Sequence, residues 1–115
     1  RIPHSDAANT RIEHRIAGAD ANIYLVTAAV LAGRLHGSEQ GFDPGPPITG
    51  NAYDQTDIRT PYWREAIASF MESEFIREQF GESFRHIYGQ QKLKEMHSFY
   101  TEVTDLEYAW YLRSV

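Results

Sequence analysis

The chain has 115 residues, with 11 Lys and Arg against 16 Asp and Glu, and a formal net charge of −5. This length suits one domain that buries roughly two thirds of its unfolded surface. The absence of cysteine excludes disulfides, thiolate metal sites and a cysteine nucleophile. The acidic balance argues against a nucleic-acid partner, and no apolar run approaches the ~20 residues of a membrane span, so we expect a cytoplasmic protein.

Charged and apolar residues alternate near the N-terminus. Arg11, Glu13 and Arg15 share one parity, whereas the residues between them are mostly apolar. This period of two predicts a β-strand over residues 10–17, within an N-terminal segment 1–18.

The next segment, 19–40, is strongly apolar. Its apolar residues run around the whole helical circumference, and the run is too long for a typical strand. We therefore predict a buried helix from about Ala21 to Gly37, with Asp20 as its N-cap.

The remainder divides into a connector loop, 41–60, and a helical tail, 61–115. The connector holds three Pro and three Gly and shows no periodic pattern. In the tail, the capping pair Thr60-Pro61, the helix stop Gly81 and the capping box from Thr104 to Glu107 mark helix boundaries. The predicted tail helices run from Pro61 to about Met71, from Glu74 to Phe80, from Glu82 to about Tyr100, and from Thr104 to about Arg113.

These elements predict a mainly α fold, an α+β fragment with one or two N-terminal strands followed by about five helices. On the strand, residues two apart lie on one face about 6.6 Å apart. The row Arg11, Glu13, Arg15 can thus hold an anion, a divalent cation and a second anion side by side. Arginine presents a fork that suits phosphate or carboxylate, and glutamate is a hard ligand for Mg²⁺ or Mn²⁺. The alternative is a solvent-exposed strand face on which the charged side chains form ion pairs with one another. Alternating charges of this kind are common on exposed strands.

The same row carries a family resemblance. The string RIEHRIAGADANIYL, over 11–25, follows Arg1-Ile2-Pro3 and precedes VTAAVLAGRLHG. It resembles the C-terminal part of the glutamine synthetase catalytic domain, in which R-x-E-x-R precedes a segment of the type A-N-P-Y-L. Ile23 replaces the proline, in the first helical turn, where isoleucine is tolerated. The loop 43–53 and the ending 103–112 resemble the γ-glutamylpolyamine (γ-glutamylputrescine) synthetase branch.

Carried over residue by residue, the resemblance implies roles for four positions. Glu13 would bind one of the divalent metals, Mg²⁺ or Mn²⁺. Arg11 would hold the transferred phosphoryl group, and Arg15 would contact the glutamate side of the reaction. Arg1 would contact the phosphates of ATP. The implied reaction phosphorylates the γ-carboxylate of glutamate with ATP, after which ammonia or a polyamine displaces phosphate.

The resemblance also implies that the chain is cut from a longer ligase whose subunits form a homo-oligomeric ring. Its first partner would be the rest of its own catalytic domain, without which we expect no turnover. A second hypothesis is a non-catalytic, stand-alone helical module for binding or assembly, derived from that family. Family-like sequence upstream of Arg1 would favour the ligase, and a nearby start codon would favour the module.

Overall fold

The computed structural model describes residue 2, residues 6–51 and residues 62–114. The chain forms two compact units, Arg1–Pro47 and Ile48–Val115. The described ranges contain a 3-10 turn, Ala7–Asn9, and five α-helices: α1 Ile23–Glu39, α2 Trp63–Glu72, α3 Glu74–Phe80, α4 Glu82–Thr101 and α5 Asp105–Tyr111. The prediction of a mainly α chain is therefore confirmed.

The predicted N-terminal strand is not confirmed. Residues 10–17 lie between the 3-10 turn and a turn closed by a hydrogen bond from the Ala21 N–H to the Gly18 carbonyl, 3.1 Å, and they belong to no strand. A strand needs the backbone hydrogen bonds of a neighbour, and the described part of the chain offers none to this segment. The alternation of side chains alone therefore leaves the segment unpaired.

Helix α1 begins and ends slightly later than predicted. Its N-cap is Asn22 rather than Asp20, because the Asn22 side chain accepts hydrogen bonds from two backbone N–H groups of the first turn, at 3.0 and 3.2 Å. At the other end Gly41 adopts a φ of 63° and the Phe42 N–H donates to the Gly37 carbonyl at 3.0 Å. This Schellman closure lets Gly37 stay helical.

The predicted burial of α1 is wrong for the chain by itself. None of its residues is buried, and four of its large apolar side chains are between 53% and 83% exposed. They are Ile23, Tyr24, Leu31 and Leu35. The described residues of the unit Arg1–Pro47 contain no second α-helix or sheet to cover an all-round apolar helix.

In the second unit, α2 and α3 both pack against α4. Ile67 of α2 and Met96 of α4 are buried at this junction. The ring of Phe70 on α2 and the ring of Tyr88 on α4 have their centres 5.3 Å apart. These contacts place the core of the unit along one side of α4, where burial of aromatic and aliphatic surface stabilises the helix pair.

Several tail boundaries match their predictions. Helix α3 has the predicted limits and stops at Gly81, whose φ is 87°. The predicted capping box of α5 is present: the Glu107 N–H donates to Thr104 Oγ1 at 3.3 Å, and the Thr104 N–H donates to Glu107 Oε2 at 2.8 Å. The predicted cap at Thr60-Pro61 lies outside the described residues.

The described part of the connector, 41–51, contains neither helix nor strand, as predicted. A turn at Asp43 is held by the Gly45 N–H, which donates to Asp43 Oδ1 at 2.9 Å. Connector residues 52–60 lie outside the described residues. In the ranges that the structure covers, no helix has the length and apolarity that crossing a membrane would require.

Candidate functional site

Three of the four predicted site residues meet in the structure. Arg15 donates from both Nη2 and Nε to Glu13 Oε2, at 2.8 and 3.2 Å. Arg11 donates from Nη2 to the other oxygen, Oε1, at 3.4 Å. Each carboxylate oxygen of Glu13 therefore accepts hydrogen bonds from the guanidinium group of one of the two arginines. Arg1 lies outside the described residues.

The local sequence explains this convergence. In an extended backbone, alternate side chains point to the same side, so a glutamate between two arginines at i−2 and i+2 can reach both. The 3-10 turn that precedes the row also supplies an acceptor, because Arg11 Nη1 donates to the Asn9 carbonyl at 3.4 Å. That turn is fixed by Asp6, whose carboxylate accepts from the Asn9 N–H at 2.9 Å.

The row is accessible to ligands. The side chains of Arg11 and Arg15 are 59% and 64% exposed, and that of Glu13 is 25% exposed. Exposed ion pairs contribute only about 0–1 kcal/mol because water screens them and the long side chains lose freedom. The row Arg11, Glu13, Arg15 thus forms the ion pairs expected of an exposed face, the alternative interpretation of this sequence pattern. These ion pairs are weak enough to be exchanged for a bound ligand.

The residues of the row fit a metal–phosphate ligand only as part of a larger site. Mg²⁺ is usually held by one or two carboxylates together with substrate phosphates and water. Glu13 can supply one such carboxylate, and the guanidinium groups of Arg11 and Arg15 match phosphate or carboxylate oxygens. Among the residues that the structure describes, no three His, Asp or Glu side chains form a group able to hold a metal.

The second unit contains a cavity of about 200 Å³ between α2 and α4. Its walls are mainly apolar and aromatic, and they include Trp63, Ile67 and Phe70. The one charged lining residue, Lys92, lies with Nζ 5.3 Å from the centre of the Tyr88 ring and 2.7 Å from a carboxylate oxygen of Glu95. A single paired cation among apolar walls offers no acid–base pair, so we assign this cavity to packing.

Helical periodicity alone does not reveal this cavity. Gly89 of α4, which lines the cavity, lies against the Met71 side chain of α2. The sequence signal that could have found it is the glycine in the middle of an otherwise well-formed helix.

Comparisons of the sequence with known proteins all give matches to one family. Residues 1–111 match the family model "Glutamine synthetase, catalytic domain". The chain is 38% identical over 115 residues to gamma-glutamylputrescine synthetase PuuA of Escherichia coli (strain K12), covering 99% of this chain and 24% of that protein. It is 39% identical over 112 residues to glutamate–isopropylamine ligase of a Pseudomonas species, covering 94% of this chain and 24% of that protein.

A more distant relative agrees with these two. Glutamine synthetase of Thermotoga maritima is 30% identical over 121 residues, covering 97% of this chain and 28% of that protein. No solved structure gives a significant match. The chain spans about a quarter of the length of the curated relatives that it matches. Since the family model covers nearly the whole chain and includes the row Arg11, Glu13, Arg15, the chain belongs to the glutamine synthetase catalytic-domain family.

Proposed function

We propose that the chain is part of an ATP-dependent glutamate–amine ligase that forms a γ-glutamyl amide through a γ-glutamyl phosphate. The observation that carries this proposal is the cation–anion–cation row at Glu13, within a chain that matches the family model over residues 1–111. The similarity to ligases named for putrescine and isopropylamine favours an alkylamine or polyamine acceptor over ammonia.

In the proposed reaction, a γ-carboxylate oxygen of glutamate attacks the γ-phosphorus of ATP and ADP leaves. The amine nitrogen then attacks the acyl carbon, phosphate leaves with the former carboxylate oxygen, and the nitrogen loses a proton. Negative charge is spread over the moving phosphoryl group and the carboxylate-derived oxygens throughout. Positioned cations therefore lower both barriers.

The row suits this electrostatic task. Arg11 would hold the transferred phosphoryl group, and Arg15 would hold the glutamate side, with its planar fork on an oxygen pair. Glu13 would hold one Mg²⁺ or Mn²⁺, which when bound neutralises phosphate charge. Arg1 would contact the nucleotide phosphates.

The rest of the site would come from the rest of the catalytic domain, so we propose that the 115 residues alone have no ligase activity. The long parent would assemble as a homo-oligomeric ring of the family type. The segment 1–18 would gain its strand partner, and α1 its cover, from that same domain. The segments 1–18, 19–40, 41–60 and 61–115 then serve as active-site strand, buried helix, connector and helical tail of one domain.

The test uses the full-length protein. We expect release of phosphate from ATP to depend on both glutamate and an amine such as putrescine or isopropylamine. Arg15→Ala removes a group that would stabilise developing charge, so kcat/KM for glutamate should fall by about 10²- to 10³-fold. Arg64→Ala, at an exposed position on α2, is the matched control and should leave the rate near that of the wild type.

The outcome that contradicts the role of Arg15 is an unchanged rate in Arg15→Ala. A non-catalytic helical module, the alternative function, predicts no amine-dependent phosphate release from the full-length protein at all. The coding sequence upstream of Arg1 separates the two before any enzyme assay, because only the ligase requires continuous family-like sequence there.

A further inference from the structure

We propose that Asp6 is a positioning residue for Arg11. The Asp6 carboxylate closes the 3-10 turn Ala7–Asn9, and that turn fixes both the backbone that enters Arg11 and an acceptor for the Arg11 guanidinium group. The inference rests on the proposed function, in which Arg11 would hold the transferred phosphoryl group. It adds a residue that acts on the reaction through Arg11.

The Asp6 carboxylate holds the turn through one oxygen. Its Oδ1 accepts from the Asn9 backbone N–H at 2.9 Å and from the Asn9 side-chain amide nitrogen at 2.7 Å. The Asp6 carbonyl accepts from the same Asn9 N–H at 3.1 Å. Asp6 is therefore the N-cap of the turn, where a side-chain oxygen stabilises the first residues by accepting from a backbone N–H.

The same residue also ties down the backbone immediately before Arg11. The Thr10 hydroxyl donates to the Asp6 carbonyl at 3.1 Å, so the end of the turn is bonded back to its start. Thr10 itself is extended, with φ −62° and ψ 122°. Because Thr10 precedes Arg11 directly, these contacts restrict the direction in which the chain enters Arg11.

The Arg11 guanidinium group has an acceptor on each side. Nη1 donates to the Asn9 carbonyl at 3.4 Å, and Nη2 donates to Glu13 Oε1 at 3.4 Å. Both contacts are long and the side chain is 59% exposed, so neither contact holds the group strongly by itself. Two acceptors restrict the rotation of a planar group more than one does. The Asn9 acceptor depends on the turn, and the turn depends on Asp6.

This arrangement predicts an effect on the rate of the chemical step. Charge develops on the moving phosphoryl group, and a cation lowers the barrier most when it is already oriented toward that charge. Misplacing such a group by about 1 Å can cost about 10²-fold in rate. Since the Arg11 contacts are long and exposed, loss of the turn should cost less, about three- to tenfold.

The test compares Asp6→Ala with Asp6→Asn in the full-length protein. Alanine removes the acceptor, whereas asparagine keeps an oxygen and is an equally good N-cap. We expect kcat for amine-dependent phosphate release to fall about three- to tenfold in Asp6→Ala, with the KM for glutamate unchanged. Asp6→Asn should stay within about twofold of the wild type. Ser73→Ala removes the side-chain N-cap of α3 and, as the matched control, should leave kcat unchanged.

Hydrogen exchange followed by mass spectrometry measures the turn independently of activity. The peptide that contains Asn9 should exchange faster in Asp6→Ala and at the wild-type rate in Asp6→Asn. Faster exchange with an unchanged kcat overturns the positioning role. Unchanged exchange in Asp6→Ala also overturns it, because the carboxylate then does not hold the turn. An equal loss of kcat in both variants overturns it as well, since the negative charge of Asp6 rather than its cap would be responsible.

An Arg11→Ala background separates failure of this inference from failure of the proposed function. If Asp6 acts through Arg11, adding Asp6→Ala to Arg11→Ala should lower kcat no further, because the effects of coupled residues do not add. A further three- to tenfold loss overturns the positioning role and leaves the role of Arg11 standing. If Arg11→Ala alone keeps the wild-type kcat, the phosphoryl role of Arg11 in the proposed function is itself overturned. Release of radiolabelled phosphate keeps the low rates measurable.

Discussion

Gly89 of α4 lies directly against the Met71 side chain of α2. A Cβ atom at this position would come within 2.5 Å of Met71 Cγ and 2.9 Å of Met71 Sδ. We predict that Gly89→Ala destabilises the chain by about 1 kcal/mol, because overpacking costs about 1–3 kcal/mol and the gain in helix propensity returns about 1 kcal/mol. Urea unfolding followed by circular dichroism measures this as a lower midpoint.

The control for this prediction is Gly37→Ala on α1. There an added Cβ would meet only Phe42 Cδ2, at 3.9 Å, which is an ordinary contact. The helix-propensity gain of up to about 1 kcal/mol should then appear as increased stability. A Gly89→Ala variant as stable as Gly37→Ala would show that α2 and α4 are not as close as the structure places them.

The sequence predicts the meeting of Arg11, Glu13 and Arg15 but not the contact of Gly89 with Met71. The row Arg11, Glu13, Arg15 was predictable because residues two apart share a side in any extended backbone, and only local geometry is needed. Its ion pairs follow from that geometry, whereas its metal and substrate roles remain a proposal. The closeness of Gly89 to Met71 depends on which faces of two helices meet, a contact between distant residues that periodicity does not specify.

At the scale of elements, the capping box of α5 predicts a dependence of stability on pH in the acid range. The backbone N–H of Thr104 donates to the Glu107 carboxylate at 2.8 Å, and the Thr104 hydroxyl donates to it at 3.1 Å. These hydrogen bonds, the backbone one first, hold the pKa of Glu107 below its ordinary value. Thr104→Ala should raise this pKa only partway, since the backbone donor remains.

The consequence for stability follows from the sign of that shift. The pKa of Glu107 is lower in the folded chain than in the unfolded chain, so its ionised carboxylate stabilises the fold. This stabilisation is complete at pH values above the ordinary pKa range of glutamate, and it is lost as the pH falls through the lowered pKa of the folded chain. An NMR titration of the side-chain carboxylates measures the pKa. Glu95, whose pKa is lowered by hydrogen bonds from Lys92 and Gln91, is the internal control. A Thr104→Ala variant with an unchanged Glu107 pKa would contradict the role of the hydroxyl.

Element boundaries were predictable where the signals are local. The limits of α3 and the capping box of α5 each depend on residues within one or two turns, and both predictions are confirmed. The strand over 10–17 was not found, because a strand exists only by pairing with a second one. The N-cap of α1 was misplaced by two residues because Asp20 and Asn22 are both good caps.

At the scale of the whole molecule, the exposed apolar surface is the main feature. Ile12 and Ile16 beside the row are 60% and 83% exposed, and α1 exposes large apolar side chains as well. Monomeric soluble proteins rarely leave such surface open. The sequence correctly identified α1 as apolar on all sides, but burial depends on what packs against a helix. Under the proposed function, that cover is the rest of the catalytic domain.

This predicts a difference between the 115-residue chain and the full-length protein at Leu31, which is 53% exposed on α1. Since the chain has no cysteine, Leu31→Cys introduces a single thiol into it. A maleimide should modify that thiol readily in the chain alone, and about tenfold or more slowly in the full-length protein, where the helix is covered. The rate is measured by the mass of the α1 peptide. Glu39→Cys, at the polar end of the same helix, controls for general access. Equal rates at Leu31→Cys in both proteins would mean that α1 is an exposed face of the complete molecule, as the alternative of a helical binding module requires.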